Sequence, residues 1–301
     1  MRRFPFFLSL VLSCLFSLTG PLSAKSPKDP TRLTIETRDG PRYAYLRLNG
    51  RAGPQPTVIV LHGRIAAAKR VIAKYDFDEV GRARGFTTVF PDGYKARWQD
   101  GRVKKGKLSH IDDVAFLKDL VDRLVKDGVA DRRRIYLAGI SNGGMMAYRI
   151  TCEAPGLFAG YATTLASMPE AFADCPIKPV PLLAINASKD QVVPFQGGVV
   201  AHLPNQGQVL GARATLERFA KANGCRSVET TSLPDHSKTD GVSVLRHVWT
   251  GCRAGKPLIA YDVLGGGHAV SSGDTLPVHV FGKASPDINT ATIFMDFFRG
   301  L

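Results

Sequence analysis

Apolar residues along the chain occur mainly in short continuous runs, and stretches with helical spacing separate these runs. The runs are TVIVLHG, FTTVFPDG, RIYLAGIS, YATTLA, VPLLAINAS and PLIAYDVLGGG. Such runs are typical of strands buried on both faces, as in parallel sheets. Between two of them, Val114, Leu117, Val121 and Leu124 lie three or four residues apart, which predicts an amphipathic helix. The alternation predicts an α/β protein with a doubly wound, mostly parallel sheet.

The two ends of the chain carry different patterns. Near the start, RLTIETRDGPRYAYLRL alternates apolar and polar residues on either side of Asp39-Gly40. This pattern predicts an antiparallel N-terminal hairpin. The final TATIFMDFFRGL has the spacing of a closing helix.

The first residues have the order of a secretory signal. Arg2 and Arg3 precede an apolar run over 4–18, and the small residues Ser23 and Ala24 follow. The apolar run is shorter than the roughly 20 residues of a membrane-spanning helix. We therefore expect a signal peptide over 1–24, no membrane span in the mature chain, and a secreted or periplasmic protein.

The remainder, 25–301, is expected to form a single domain, since no linker, repeat or low-complexity tract interrupts it. A hydrophobic content of 44% is sufficient for a large core. The formal charge of +14 falls by two, to +12, without Arg2 and Arg3, and it is spread along the chain. The absence of a dense basic arm argues against a nucleic-acid partner.

The segment GISNG places Ser141 between two glycines, after a predicted strand and before a predicted helix. This is the G-x-S-x-G pattern in the strand–turn–helix context of a nucleophile elbow. Gly139 and Gly143 leave room for a sharp turn, and Ser141 then projects its hydroxyl at the edge of the sheet. The pattern indicates a catalytic serine.

A catalytic serine needs a histidine as proton acceptor, and in this fold the histidine comes last in the chain. The candidates are His202, His236, His247, His268 and His279. His247 lies within an alternating strand, and His202 and His236 lie in polar loops with no strand before them. His268 follows a predicted strand and three glycines, so it is the predicted catalytic base.

The acid that orients the histidine is expected between the serine and the histidine in the chain. Asp190 directly follows the predicted strand VPLLAINAS and is the favoured residue. Asp174 lies in an irregular stretch, and Asp262 lies within a predicted strand. For the oxyanion hole, the backbone N–H groups of Asn142 and Arg64 are the predicted donors, because Asn142 follows the serine and Arg64 follows an His-Gly pair.

Four cysteines follow the signal: Cys152, Cys175, Cys225 and Cys252. Export permits disulfides, and four cysteines allow three pairings. Local pairing, Cys152 with Cys175 and Cys225 with Cys252, closes short loops and is favoured over crossed pairs or free thiols.

Taken in order, these motifs resemble the polyhydroxybutyrate depolymerase and feruloyl esterase-like family of secreted α/β hydrolases. The resemblance covers about 40–300 and rests on VLHG, FPDG with RWQDGR, DDVAFLKDLVDRL, GISNGGMMAYRITCEAP, NASKDQVVPF and GGGH. It implies the α/β-hydrolase fold, the two local disulfides, and a Ser141, Asp190, His268 esterase without metal or organic cofactor. The chain departs from the family at Arg64, where a small residue or cysteine is more usual, and in the HAVSS sequence after the histidine.

The predicted activity is hydrolysis of carboxylic esters through an acyl-enzyme. The resemblance implies an ester substrate that is polymer-derived, either a hydroxyalkanoate or a feruloyl or acetyl ester of polysaccharide. A serine peptidase of the same fold and a non-catalytic protein that binds anionic polymer are the alternatives.

A basic loop over 92–110 follows the strand FTTVF and is expected at the ligand-binding edge of the sheet. It carries Lys95, Arg97, Arg102, Lys104, Lys105 and Lys107. The loop is either a solvated surface loop or a substrate-facing rim in which Trp98 offers a flat apolar contact.

Overall fold

A computed structural model describes residues 30–103, 109–271 and 277–301. The expected signal peptide and the loop residues Lys104, Lys105 and Lys107 lie outside these ranges. Twelve strands are present in the described residues: β1 (Thr31–Thr37), β2 (Gly40–Arg47), β3 (Gln55–Leu61), β4 (Thr87–Pro91), β5 (Ala130–Ile140), β6 (Tyr161–Thr164), β7 (Leu182–Ala187), β8 (Gly197–Val199), β9 (Gln208–Leu210), β10 (Ser227–Ser232), β11 (Ser243–Thr250) and β12 (Leu258–Leu264).

Seven α-helices alternate with or follow these strands in the same described ranges. They are α1 (Ala68–Lys74), α2 (Phe77–Ala83), α3 (Asp113–Lys126), α4 (Asn142–Glu153), α5 (Ala212–Asn223), α6 (Val278–Phe281) and α7 (Thr290–Arg299). The predicted amphipathic helix is α3. Its N-cap is Asp112, whose side chain accepts a hydrogen bond from the N–H of Ala115, and Val114, Leu117, Val121 and Leu124 are all buried.

Ten strands form one sheet in the order β1-β2-β4-β3-β5-β6-β7-β12-β11-β10. The six central strands, from β4 to β12, are parallel to one another. The edges are antiparallel: β1 and β2 at one side, and β11 and β10 at the other. The protein is an α/β hydrolase in fold, with the mostly parallel sheet and the N-terminal hairpin that the sequence predicts.

The hairpin turn lies one residue earlier than the sequence pattern indicates. Thr37 pairs with Gly40, so Arg38 and Asp39 form the two-residue turn and Gly40 begins β2. Gly40 has a φ of +99°, which glycine adopts without strain. The side chain of Thr37 accepts a hydrogen bond from the N–H of Asp39, which closes the turn.

Each face of the sheet carries its own apolar core. On β3, Ile59 and Leu61 face a layer built with α3, α4 and α5, whereas Val58 and Val60 face a layer built with α1, α2 and α7. Burial on both faces explains why β3 is apolar throughout. The antiparallel edge formed by β10 was not predicted, because its sequence SVETTS is exposed along most of its length and carries no apolar alternation.

The four cysteines form two disulfide bonds, Cys152–Cys175 and Cys225–Cys252. The first connects α4 to the segment after β6, and the second connects the segments that flank β10 and β11. No helix in the described part of the chain has both the length and the apolar character needed to cross a membrane.

Candidate active site

Ser141 lies at the junction of β5 and α4, with a φ of +52° and a ψ of −117°. This conformation is strained for a residue with a Cβ, and such strain is found at functional turns. Its own N–H donates to the carbonyl of Thr164 on the neighbouring strand, at 2.9 Å, which holds the turn against the sheet. The elbow that the sequence predicts is therefore present in the backbone.

Two glycines make this turn sterically possible. A Cβ on Gly139 would lie 2.4 Å from the carbonyl oxygen of Gly143, and a Cβ on Gly143 would lie 2.5 Å from the carbonyl oxygen of Leu61. Both neighbours are backbone atoms, which cannot move aside without displacing the strand or the helix. The glycine spacing of the motif is thus a packing requirement between β3, β5 and α4.

The side chains of Ser141, His268 and Asp190 form one hydrogen-bonded series. The distance from His268 Nε2 to Ser141 Oγ is 3.0 Å, and that from His268 Nδ1 to Asp190 Oδ2 is 2.7 Å. Side-chain exposure is 11% for His268 and 2% for Asp190, so water has little access to the pair. This is the order in which an acid orients an imidazole towards a serine hydroxyl.

Asp190 is held in place through its second oxygen. Oδ1 accepts hydrogen bonds from the backbone N–H groups of Val192, at 2.8 Å, and Val193, at 2.7 Å. The loops that carry the acid and the histidine are also joined, because the N–H of Lys189 donates to the carbonyl of Gly266 at 2.8 Å. Both loops follow adjacent parallel strands, β7 and β12, so their residues meet at one edge of the sheet.

The alternative histidine, His247, belongs to a separate cluster. Its Nε2 lies 3.0 Å from Asp262 Oδ2, and its Nδ1 lies 2.8 Å from Thr230 Oγ1. Burial raises the pKa of Asp262, an effect that the nearby His247 opposes. These residues lie on β10, β11 and β12, at the antiparallel edge, and His247 and Asp262 are not among the residues that line the cavity at Ser141. His202 and His236 are likewise absent from the cavity wall.

The two predicted oxyanion donors flank Ser141. Asn142 is the first residue of α4, so its N–H is at the positive end of the helix. Arg64 follows Gly63, whose Cα is so close that an added Cβ would lie 3.5 Å from the Ser141 Cβ. Arg64 also lines the cavity at Ser141. The sequence thus brings both backbone positions to the nucleophile.

His62 supports the loop that precedes Arg64. Its Nδ1 lies 2.7 Å from the carbonyl oxygen of Gly63, and its Nε2 accepts from the N–H of Gly93 at 2.9 Å. This pattern needs a proton on Nδ1 only, which is the neutral imidazole. Burial lowers the pKa of His62 and favours the same neutral form.

The prediction that Trp98 contacts substrate is wrong. Its side chain is 2% exposed, it stacks on Phe116 with ring centres 6.4 Å apart, and its indole N–H donates to the carbonyl of His62 at 3.0 Å. Trp98 is a core residue because a loop that folds back over α3 buries its largest apolar side chain. Nor is the loop a purely solvated one, since Arg102 and Asp100 form a buried ion pair at 2.9 Å.

The Asn142 side chain has a role that the sequence motifs do not predict. Its amide accepts from the N–H of Trp98, donates to the carbonyl of Trp98, and donates to Asp100 Oδ2 at 2.6 Å. The residue after the nucleophile therefore ties the loop over 98–100 to the elbow. The sequence signal for this role is the asparagine directly after the serine, together with Asp100, two residues after Trp98.

A cavity of about 360 Å³ opens beside Ser141 and His268. Its walls are mainly apolar and include Ile65, Ile140, Leu165, Val192, Val270 and Phe281. Ile65 is 75% exposed and has a φ of +62°, which is unusual for a β-branched residue. Its N–H donates to the carbonyl of Ala96 at 2.9 Å, which holds this apolar side chain at the mouth of the cavity.

Within the described ranges, no group of three or more His, Cys, Asp or Glu side chains could hold a metal ion. The arrangement at Ser141 is one that can move a proton from a hydroxyl to an imidazole beside an apolar cavity. That is the chemistry of acyl transfer to serine.

Comparisons with known proteins agree with this fold. No family model matches the chain. A protein of Nocardia uniformis subsp. tsuyamanensis named "Putative esterase NocK" is 27% identical over 297 residues, covering 93% of this chain and 86% of the relative. An Aspergillus niger protein named "Probable feruloyl esterase C" is 26% identical over 286 residues, covering 92% of this chain and 93% of the relative.

Among solved structures, the acetyl xylan esterase from Aspergillus awamori superimposes with a TM-score of 0.58 at 13% sequence identity, over 89% of this chain and 98% of that chain. At this identity the similarity is one of fold. Together with the two relatives that match almost the whole length, the chain is similar to proteins named as esterases and feruloyl esterases and has the α/β-hydrolase fold.

Proposed function

We propose that the protein is a serine hydrolase of carboxylic esters, with Ser141 as nucleophile, His268 as general base and acid, and Asp190 as the residue that orients His268. The observation that carries the proposal is the hydrogen-bonded series from Asp190 through His268 to the Ser141 hydroxyl, at the mouth of an apolar cavity. Both relatives are named as esterases, which supports an ester rather than an amide as the substrate.

In the first half of the reaction, Ser141 Oγ attacks the ester carbonyl carbon while His268 Nε2 takes the hydroxyl proton. The carbonyl oxygen becomes an oxyanion, and the backbone N–H groups of Asn142 and Arg64 stabilise it. Losing one such donor costs about 3 kcal/mol of barrier. The ester C–O bond then breaks, the alcohol leaves with the proton from His268, and the acyl group stays on Ser141.

In the second half, water replaces the alcohol. His268 takes a proton from the water, and the resulting hydroxide attacks the acyl carbon. Collapse of the second oxyanion returns the proton to Ser141 Oγ and releases the carboxylic acid. Asp190 stabilises the imidazolium that forms in each half, because its carboxylate lies 2.7 Å from Nδ1.

The substrate class that we propose is a polymer-derived ester, either a hydroxyalkanoate or a feruloyl or acetyl ester of polysaccharide. The relative named feruloyl esterase supports this class. We further propose that the mature protein acts outside the cytoplasm, and the two disulfides support an oxidising compartment.

The proposal is tested by covalent labelling with a fluorophosphonate together with hydrolysis of p-nitrophenyl acetate. We expect wild-type protein to be labelled on Ser141, and Ser141→Ala to be unlabelled and to lose on the order of a million-fold in kcat. His268→Ala should lose a similar amount. His247→Ala is the matched control, since that imidazole also pairs with a carboxylate but does not reach Ser141.

Normal activity in His268→Ala, or its loss in His247→Ala, would overturn the assignment of the base. Hydrolysis of a peptide amide at a rate similar to that of the ester would overturn the choice of ester. Methyl ferulate, an acetylated xylan and a hydroxybutyrate oligomer then separate the proposed polymer-derived substrates.

A further inference from the structure

The cavity beside Ser141 has an uneven distribution of charge. Besides its apolar walls, its lining includes three cationic residues, Arg64, Arg70 and Lys74. No Asp or Glu is among the described residues that line it. A neutral ester would contact the apolar walls but would form no ion pair with these cations.

Two of the cations come from α1, which is held firmly against the sheet. The N–H of Ala68, at the start of the helix, donates to Asp92 Oδ1 at 2.7 Å, and Val71 is 2% exposed. Because Val71 is buried in the core, Arg70 and Lys74 are held at the cavity on either side of it. The position of these charges is therefore a property of the fold.

The guanidinium of Arg70 is available to a ligand. It is exposed to solvent, and within residues 30–103, 109–271 and 277–301 no carboxylate or other acceptor contacts it. Lys69, the preceding residue on α1, instead lies over the ring of Tyr45, 5.4 Å from its centre, and does not line the cavity. Adjacent cations on one short helix thus have different surroundings.

Arg64 lies among like charges at the same cavity. Its pKa is lowered by burial first and then by the neighbouring cations Arg97 and Arg102, whereas Asp100 acts in the opposite direction. Asp100 is already paired with Arg102 and with the amide of Asn142. Among the described residues, the Arg64 side chain donates a hydrogen bond to a neutral partner, the side-chain oxygen of Gln206. An anion at this place would reduce the repulsion among Arg64, Arg97 and Arg102.

We propose that this cavity is a binding site for esters that carry a free carboxylate, which Arg70 and Arg64 bind while the apolar walls hold the hydrocarbon portion. This inference rests on the proposed ester hydrolysis at Ser141 and names the substrate class within it. Carboxylate and guanidinium form charge-assisted hydrogen bonds with matched geometry. An acid-terminated fragment of a polyester, or a half-ester of a dicarboxylic acid, has both features.

The test compares two p-nitrophenyl esters of adipic acid: one has a free carboxylate at the far end of the chain, and in the other a methyl ester replaces that carboxylate. The measured quantity is the ratio of kcat/KM for the anionic over the neutral ester, after subtraction of the uncatalysed rates. We expect Arg70→Gln to lower this ratio roughly fivefold, mainly through a higher KM for the anion, as for loss of a partly exposed ion pair. Lys69→Gln removes the same charge one residue away and should leave the ratio unchanged.

Salt provides a second readout on the wild-type protein. Raising NaCl from about 0.02 M to about 0.5 M should lower the ratio, because the Debye length shortens from about 20 Å to about 4 Å. The Arg64→Gln/Arg70→Gln double variant should show a smaller ratio than Arg70→Gln and a weaker dependence on salt.

Two outcomes would overturn this inference alone. Either Ser141-dependent hydrolysis proceeds and Arg70→Gln leaves the ratio unchanged, or Lys69→Gln lowers the ratio as much as Arg70→Gln, which would mean a general effect of a basic protein. If neither ester is hydrolysed and Ser141 is not labelled, the proposed function itself fails.

Discussion

The side-chain amide of Asn142 forms hydrogen bonds to both the N–H and the carbonyl of Trp98, at 2.8 and 3.0 Å. Asn142, the residue after the proposed nucleophile, therefore anchors the loop that contains Trp98. The indole N–H of Trp98 in turn donates a hydrogen bond to the carbonyl of His62. Elbow, loop and the segment before Arg64 form one connected polar network. A substitution of Asn142 should therefore shift the backbone N–H groups of both Asn142 and Arg64, the proposed oxyanion donors.

We expect Asn142→Ala to destabilise the protein by about 1 to 3 kcal/mol, because buried backbone groups and Asp100 lose their partner. Asn142→Asp should be at least as destabilising, since its carboxylate would face Asp100 where an amide now donates at 2.6 Å. Thermal unfolding and kcat for p-nitrophenyl acetate measure the two effects. A stable and fully active Asn142→Asp variant would contradict this hydrogen-bond arrangement.

We expect Asp190→Asn to lower kcat on the order of ten-thousand-fold with little effect on folding. An asparagine of the same shape can still accept from the N–H groups of Val192 and Val193, but it cannot stabilise the imidazolium of His268. Steady-state kinetics and circular dichroism test the two parts. Asp262→Asn is the matched control, because Asp262 pairs with His247 and should leave kcat within about threefold of wild type.

Gly139→Ala should prevent formation of the elbow. The new Cβ would lie 2.4 Å from a backbone oxygen, so we expect a loss of about 3 kcal/mol or more in stability, or no soluble protein. Gly63→Ala is the comparison, because its Cβ would make ordinary contacts at 3.5 Å or more. Unfolding by urea distinguishes the variants, and equal stability of the two would refute the packing argument.

The folded protein should lose stability as the pH falls below about 6.5, in part through His62. Burial lowers the pKa of His62 in the folded state below the usual histidine value of about 6.5, so in that range the unfolded chain binds a proton that the folded protein does not. The contribution is fully present above the unfolded pKa and is lost as the pH falls through the folded pKa. His62→Gln cannot titrate, so its stability deficit relative to wild type should shrink between about pH 7.5 and pH 5. A deficit that stays constant over this range would show that His62 does not titrate as argued.

The central sheet could be predicted from the sequence because its strands are buried on both faces and must be apolar at every position, as in β3. The outer strand β10 could not be predicted, because its residues SVETTS are mostly exposed and need not be apolar. At the site, the location of the Trp98 side chain could not be predicted from the sequence either. Its position after a sheet strand suggested a ligand contact, but the sequence does not reveal that the loop folds inward and buries the ring against Phe116.

The residues of the proposed site could be found in the sequence: a serine between glycines, and an acid and a histidine that each follow a strand. These features are local, because the turn needs glycine and the ends of adjacent parallel strands meet at one edge. The cations that line the cavity could not be identified without the fold. Arg70 and Lys69 are neighbours in the chain, yet Arg70 lines the cavity beside Ser141 while Lys69 lies over Tyr45. This difference depends on how α1 packs against the sheet, and that packing involves residues that are far apart in the sequence.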